Sequence, residues 1–226
     1  MLRGRCDTEV TFHKTVPMAA IGLAARASRT VSGTGWHHSL SLKCHPTASI
    51  FNPKGCYMSV SLYDVSIPIF TLSLSNLAVI LDKAASHAED KKLDPKVVPQ
   101  ARLIIDMLPL SSQIQIACDN AKGAAGRLAG VEIPKHEDTE ATLPELRARV
   151  AKTLEFLKTI KPEQLQGAET REIVLQFPQT TLKFTGLNYV TNFALPNFFF
   201  HVTMAYALLR KNGVNLGKRD FLGTIQ

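Results

Sequence analysis

The stretch at residues 188–213, NYVTNFALPNFFFHVTMAYALLRKNG, constrains the fold more than any other part of the chain. It is a long apolar helix-forming run with one imidazole, His201, set among aromatic side chains, and a helix of that character has to be buried. At 3.6 residues per turn, Tyr189, Phe193, Phe200, Met204 and Leu208 form one apolar stripe. Asn192, Asn197 and His201 then supply polar groups that burial forces into hydrogen bonds or onto a ligand.

Three earlier segments also carry helical periodicity. The first covers residues 63–88, with Val65, Ile69, Leu72, Leu77, Ile80, Leu81 and Ala84 in a stripe and Pro68 tolerated in the first turn. The second begins near Pro95, breaks at Leu108-Pro109 and resumes over residues 109–129, where Gly130 is a natural left-handed stop. Its Ala117, Ala121, Ala124 and Ala125 permit close helix contact. The third opens on Thr142-Leu-Pro-Glu145, a capping box in which hydroxyl and carboxylate satisfy free amide donors reciprocally. Leu143, Leu146, Val150, Leu154 and Leu157 define its seam. Before the last helix the period changes to two, over residues 171–177 and 181–184, which spells a short hairpin turning around Pro178 to Thr180. The fold class that follows is all-α: an antiparallel four-helix bundle with a small β-hairpin before the last helix, whose core folds without a metal.

The net charge of +7 invites a nucleic-acid reading, but residues 1–57 hold seven basic side chains against Asp7 and Glu9, five of that net charge. Residues 58–226 carry only the remaining two, without a basic face, so nucleic-acid binding is not expected. No uninterrupted apolar run approaches the roughly 20 residues needed to cross a bilayer, so no membrane partner is expected either. Residues 1–57 are rich in Ser, Thr, Arg, Gly and His and lack periodicity, which reads as a disordered basic leader ahead of one domain at 58–226. Two explanations fit: a mitochondrial presequence with a basic helix at 19–29, or translation that starts at Met58. Cys6, Cys44 and Cys56 fall in that leader and Cys118 is alone in the body, with no CxxC pair. This points to a reducing compartment, cytoplasmic or, with a genuine presequence, mitochondrial. Phosphate-cradling loops and a GxSxG nucleophile elbow are absent from the sequence.

The segments MSVSLYDVSIPIF, ARLIIDMLPLSSQIQIACDNAKGAAGRLAG and FALPNFFFHVTMAYALLRKNGVNLGKRDFLG, with the hairpin between the last two, carry a resemblance. Residues 58–223 resemble a family of domains of unknown function from bacteria and fungi, within the DinB/YfiT-like superfamily of helical bundles. That resemblance implies a DinB-like bundle and a divalent-metal site of three histidines, two of them as H-x-x-x-H on a late helix. The sequence departs from it: Ala205 stands four residues after His201, and Gln113, Gln115 and Asp119 on the second helix offer no imidazole. His87 and His136 fall near a helix end and in a loop, where solvation is the default. Zinc or nickel needs three or four well-placed donors, and here only His201 is a candidate ligand.

The expected site is therefore a small-molecule pocket in the bundle interior, lined by His201, Asn197, Asp106 and Gln113, with a degenerate metal site. Asp106 could instead cap the following helix, and Asp119 reads as a solvated partner of Lys122. Two alternatives stand beside this: a divalent-metal-dependent transferase or hydrolase in which His201 holds the ion and Asp106 assists, and a dimeric interaction module that pairs two copies through an exposed apolar helix face.

Overall fold

The computed structural model describes residues 60–224. The expected leader, with its candidate presequence helix, lies outside the described residues. Four long helices carry the body: α1 (Ile67–Asp90), α2 (Leu110–Ala129), α3 (Leu143–Thr159), and a rod made of α4 (Gly186–Tyr189), a π-helical Val190–Ala194 and α5 (Leu195–Lys211). The hairpin of β1 (Glu172–Phe177) and β2 (Thr180–Thr185) precedes that rod, and a short α6 (Lys218–Leu222) follows it.

Helix α1 packs chiefly on α3, and α2 packs on both α5 and α3, so α1 and α2 lie diagonally across the bundle. The long connection at 91–109 makes that crossing. Helices α2 and α5 run antiparallel, since Gln113 at the start of α2 meets His201 while Arg127 near its end meets Tyr189. Phe70 of α1 meets Phe198 of α5 edge-on at 4.9 Å in the centre of the core, a geometry aromatic quadrupoles favour. All four expected alanines of α2 are fully buried and let its neighbours approach closely. By length and composition α1 is apolar enough to cross a membrane, and here it buries Ile67, Phe70, Leu74, Leu77 and Leu81 as a core helix.

Local chemistry sets the boundaries. Glu145 N–H donates to Thr142 Oγ1, and Glu145 Oε2 accepts from Thr142 N–H, which completes the expected capping box of α3. Gly130 ends α2 in the left-handed region at φ 70°. Hairpin register runs from Glu172 opposite Thr185 to Phe177 opposite Thr180, and Ile173 and Leu175 point inward. Gly186 starts the last rod because any Cβ there would stand 1.9 Å from the Ala168 carbonyl oxygen.

Three expectations need correction. The first helix starts at Ile67 rather than near residue 63, and Leu72 faces solvent, because the buried stripe runs through Phe70, Leu74, Leu77 and Leu81. The helical segment expected from Pro95 shrinks to a single 3-10 turn, Val98–Gln100. Pro99 and Pro109 remove backbone donors there, and the chain between them is a loop that exposes Ile104 and Ile105.

The third correction concerns the phase of the last helix. Pro196 cannot donate to a carbonyl four residues back, and the rod accommodates it by widening one turn, so that Leu195 N–H donates five residues back to Val190. The widened turn adds one residue to the helical count. Downstream, the buried set moves by one position, to Phe198, His201, Val202, Ala205, Leu208 and Leu209. Phe200, expected inside, is 52% exposed.

Candidate functional site

His201 is carried inward by that phase shift and lies in the seam between α5 and α2, 8% exposed. Its Nδ1 is 2.7 Å from Gln113 Oε1, and Gln113 Nε2 donates to the Leu108 carbonyl at 3.2 Å. The second bond fixes the amide so that its oxygen faces the ring, which assigns the proton to Nδ1. Burial pushes the imidazole below its ordinary range, so the ring is neutral at pH 7 and Nε2 carries a lone pair with no partner among the described residues.

A metal centre does not fit these donors. Ala205 occupies the next turn, Gln113 is committed to His201, and among the described residues no three His, Cys, Asp or Glu side chains gather around one point. One imidazole is short of the three or four ligands that zinc or nickel takes. Asp106 is exposed in the loop at 101–109 and makes no side-chain hydrogen bond among the described residues, so the structure does not bring it to the His201–Gln113 pair.

Asn197, one turn before His201, lines a different space. A cavity of about 340 Å³ opens between β1, the middle of α2 and the last rod, with Asn197, Asn120 and Arg127 as polar lining and Tyr189, Phe193 and Phe177 as an aromatic wall. Tyr189 and Phe193 lie nearly parallel, their planes 19° apart and centroids 6.0 Å apart. Asn120 Oδ1 is buried without a partner. Arg127 donates from Nη1 to Tyr189 Oη at 3.2 Å. Among the described residues it pairs with no carboxylate. Burial raises the Tyr189 phenol above its ordinary value while the Arg127 charge pulls it back, so this hydroxyl stays protonated.

A second polar cluster was not expected from the sequence. Arg149 of α3 is 2% exposed; its Nη2 reaches Asp119 at 2.8 Å and Asp138 at 2.9 Å, and its Nη1 reaches Glu140 at 3.0 Å and the Glu137 carbonyl at 3.0 Å. Gln115 donates to Glu140, and Lys122, itself buried, pairs with Asp119 at 2.8 Å. Asp119 is therefore not simply a solvated partner of Lys122: it also closes on a buried guanidinium. With three carboxylates around it, Arg149 clamps the loop at 131–141 onto α2 and α3. The signal in the sequence was its position, next to Val150 and three residues after Leu146 on the buried seam, followed by inspection of the acid-rich loop upstream. His136 on that loop is held below its ordinary pKa by partial burial and then by the Lys122 and Arg149 charges.

Four packed helices with a small hairpin before the last make this a helical bundle of the DinB type. The model of a domain of unknown function, DUF1993, matches residues 62–222. The chain belongs to that family. It is similar to a solved DinB family member protein from Shewanella denitrificans, with 42% identity and a TM-score of 0.67 over 73% of this chain and 93% of that one. No curated protein matches the chain.

Proposed function

We propose that this family member binds a small organic molecule without a resident metal ion, in the cleft between β1, α2 and the last rod. The observation that carries the reading is the mismatch within the cleft: a 340 Å³ space with an aromatic wall where, among the described residues, Asn120 Oδ1 lacks a donor and the Asn197 side chain makes no hydrogen bond. Binding sites combine apolar walls with a few convergent polar groups in this way, and buried polar atoms without partners are otherwise disfavoured. The neutral His201–Gln113 pair, one turn from Asn197, then serves to lock α5 against α2 beneath the cleft.

The test has two parts. Metal analysis of purified protein is expected to find no stoichiometric ion; zinc or nickel at one per chain, lost in His201→Ala, would overturn the metal-free reading in favour of a metal-dependent transferase or hydrolase. A fragment screen by NMR is expected to shift the side-chain amides of Asn120 and Asn197 in the wild type and not in the cleft-filling Asn197→Trp. Fragments that cluster elsewhere would overturn the assignment of the cleft.

A second reading, an interaction module that pairs two copies, draws on the exposed Leu103, Ile104, Ile105 and Leu108 of the loop at 101–109. It places the apolar surface on a loop rather than on a helix face. Sedimentation of wild type against Ile104→Lys tests it: a dimer that dissociates in the variant supports the module, and a wild-type monomer removes it.

A further inference from the structure

We infer that the cleft selects a small planar monocarboxylate, and that Gly123 exists to set the guanidinium that recognises it; this rests on the cleft reading above. Arg127, on the α2 face toward the cleft, and Arg149, between α3 and α2, differ in one respect. Arg149 pairs with Asp119, Asp138 and Glu140 through its two terminal nitrogens, whereas among the described residues Arg127 has no carboxylate partner and spends one N–H on the Tyr189 hydroxyl. A half-buried guanidinium with donors to spare, facing a cavity, is a receptor for a carboxylate in forked geometry.

Its position is built by α2. Asn120, Gly123 and Arg127 recur at helical spacing and share one face. A Cβ on Gly123 would stand 2.5 Å from Arg127 Nη1 and 3.5 Å from Cζ, so the arginine folds back along the helix over the bare glycine. This brings the guanidinium one turn nearer to Asn120 than the backbone spacing implies: three residues of helix separate Gly123 from Asn120, roughly 4.5 Å of rise. A carboxylate on Arg127 thus leaves a hydroxyl or amino group on the same flat molecule beside the Asn120 side chain, whose amide would turn to present its unpartnered Oδ1, while its ring lies against Phe193. Glycine inside a helix is unfavourable relative to alanine; here the absent methyl is what the guanidinium occupies.

The charge count favours a monoanion. Asp119 also borders the cavity, its charge shared between Arg149 and Lys122, and a dianion such as phosphate would meet that carboxylate with Arg127 as the one unpaired cation among the described lining residues.

The experiment titrates the full chain with 4-hydroxybenzoate and, as its neutral counterpart, 4-hydroxybenzamide, following the Arg127 Nε–H and the Asn120 and Asn197 amides by NMR, in wild type, Gly123→Ala and Arg127→Gln. The expected result is millimolar binding of the acid, at least about tenfold tighter than the amide, as one charge-assisted pair gives. Both variants should lose that preference, with Gly123→Ala melting at or above the wild-type temperature, since the atom it displaces is the free end of a flexible side chain. Equal binding of acid and amide in the cleft would overturn the carboxylate assignment and leave the cleft reading standing; no response of the cleft amides to either probe would overturn both. Wild-type selectivity in Gly123→Ala would overturn the role given to the glycine alone.

Discussion

Replacing Arg149 by Met keeps most of the side-chain volume and removes the charge, and the structure sets the size of the effect. Breaking a buried ion pair by deleting one partner costs about 3–5 kcal/mol when the remaining charge is stranded. Here the partners are stranded unequally. Asp138 is 61% exposed and Asp119 40%, so both can return to water, and Asp119 keeps Lys122. Glu140, at 13%, keeps only Gln115, and the Glu137 carbonyl loses its donor. One carboxylate and one carbonyl left short place the expected loss at about 2–4 kcal/mol, below the full figure for a sealed pair. For a domain of this size about 3 kcal/mol lowers the melting temperature by roughly 6–12 °C. The assay is urea unfolding of wild type and Arg149→Met at pH 7 and in acid. Burial alone would raise the Glu140 carboxyl, but hydrogen bonds from Gln115 and Arg149 bring it below its ordinary value. A carboxyl depressed in the folded chain contributes stability that is present above its unfolded pKa near 4.5 and is lost as pH falls through the folded value. Wild type should therefore lose more stability than the variant between neutral pH and acid. A cost under about 1 kcal/mol, the scale of an exposed pair, with parallel acid slopes in the two proteins, would refute the clamp.

Other consequences are as direct. Gln113→Leu strands the His201 Nδ1–H and should cost about 1–3 kcal/mol, while the double replacement with His201→Leu should cost less than the sum of the two single changes; additive losses in urea melts would show that the pair does not interact. Because the folded imidazole titrates below its unfolded value of 6.5, stability should be full above that pH and decline as pH falls beneath it, and His201 carbon shifts should titrate at lower pH in the folded chain than in urea. Burial pushes the Cys118 thiol up to about 12, so a thiol reagent at pH 8 should leave it unmodified until denaturant is added; rapid labelling of the folded chain, with residues 1–57 removed, would contradict its burial. Gly186→Ala drives a methyl into the Ala168 carbonyl and should destabilise by about 1–3 kcal/mol, read as a lower melting temperature against Gly217→Ala, whose Cβ meets nothing closer than 3.9 Å.

Much of the fold was legible because its signals are local. Thr142 and Glu145 sit three residues apart, Gly130 ends a run of alanines, and the hairpin announces itself by a change of period, so each could be seen in a short window. The site was legible only in part. Asn197 does line a cavity and His201 does meet Gln113, yet these are two places rather than one, and Asp106 stands in solvent. That separation follows from the orientation of α5, which depends on a backbone adjustment that side-chain periodicity does not encode. The Arg149 cluster was missed for a different reason: its acids come from α2 and from a loop without periodicity, and only the docked loop makes an arginine on an apolar seam affordable. Leu72 shows the limit from the other side, since α1 is apolar on several faces and hydropathy alone does not say which face meets the core.

The bulge ahead of Pro196 sets the rotational register of everything after it. Without that extra residue the rod would be turned by roughly 100°, a phenyl ring would replace the imidazole in the interior, and Ala205, fully buried as the rod stands, would turn out of the core. A variant with Pro196→Ala and one residue deleted at 191 would carry nearly the same side chains in nearly the same order and yet present a different interior, so alignments of relatives that gap this turn compare residues pointing in unlike directions.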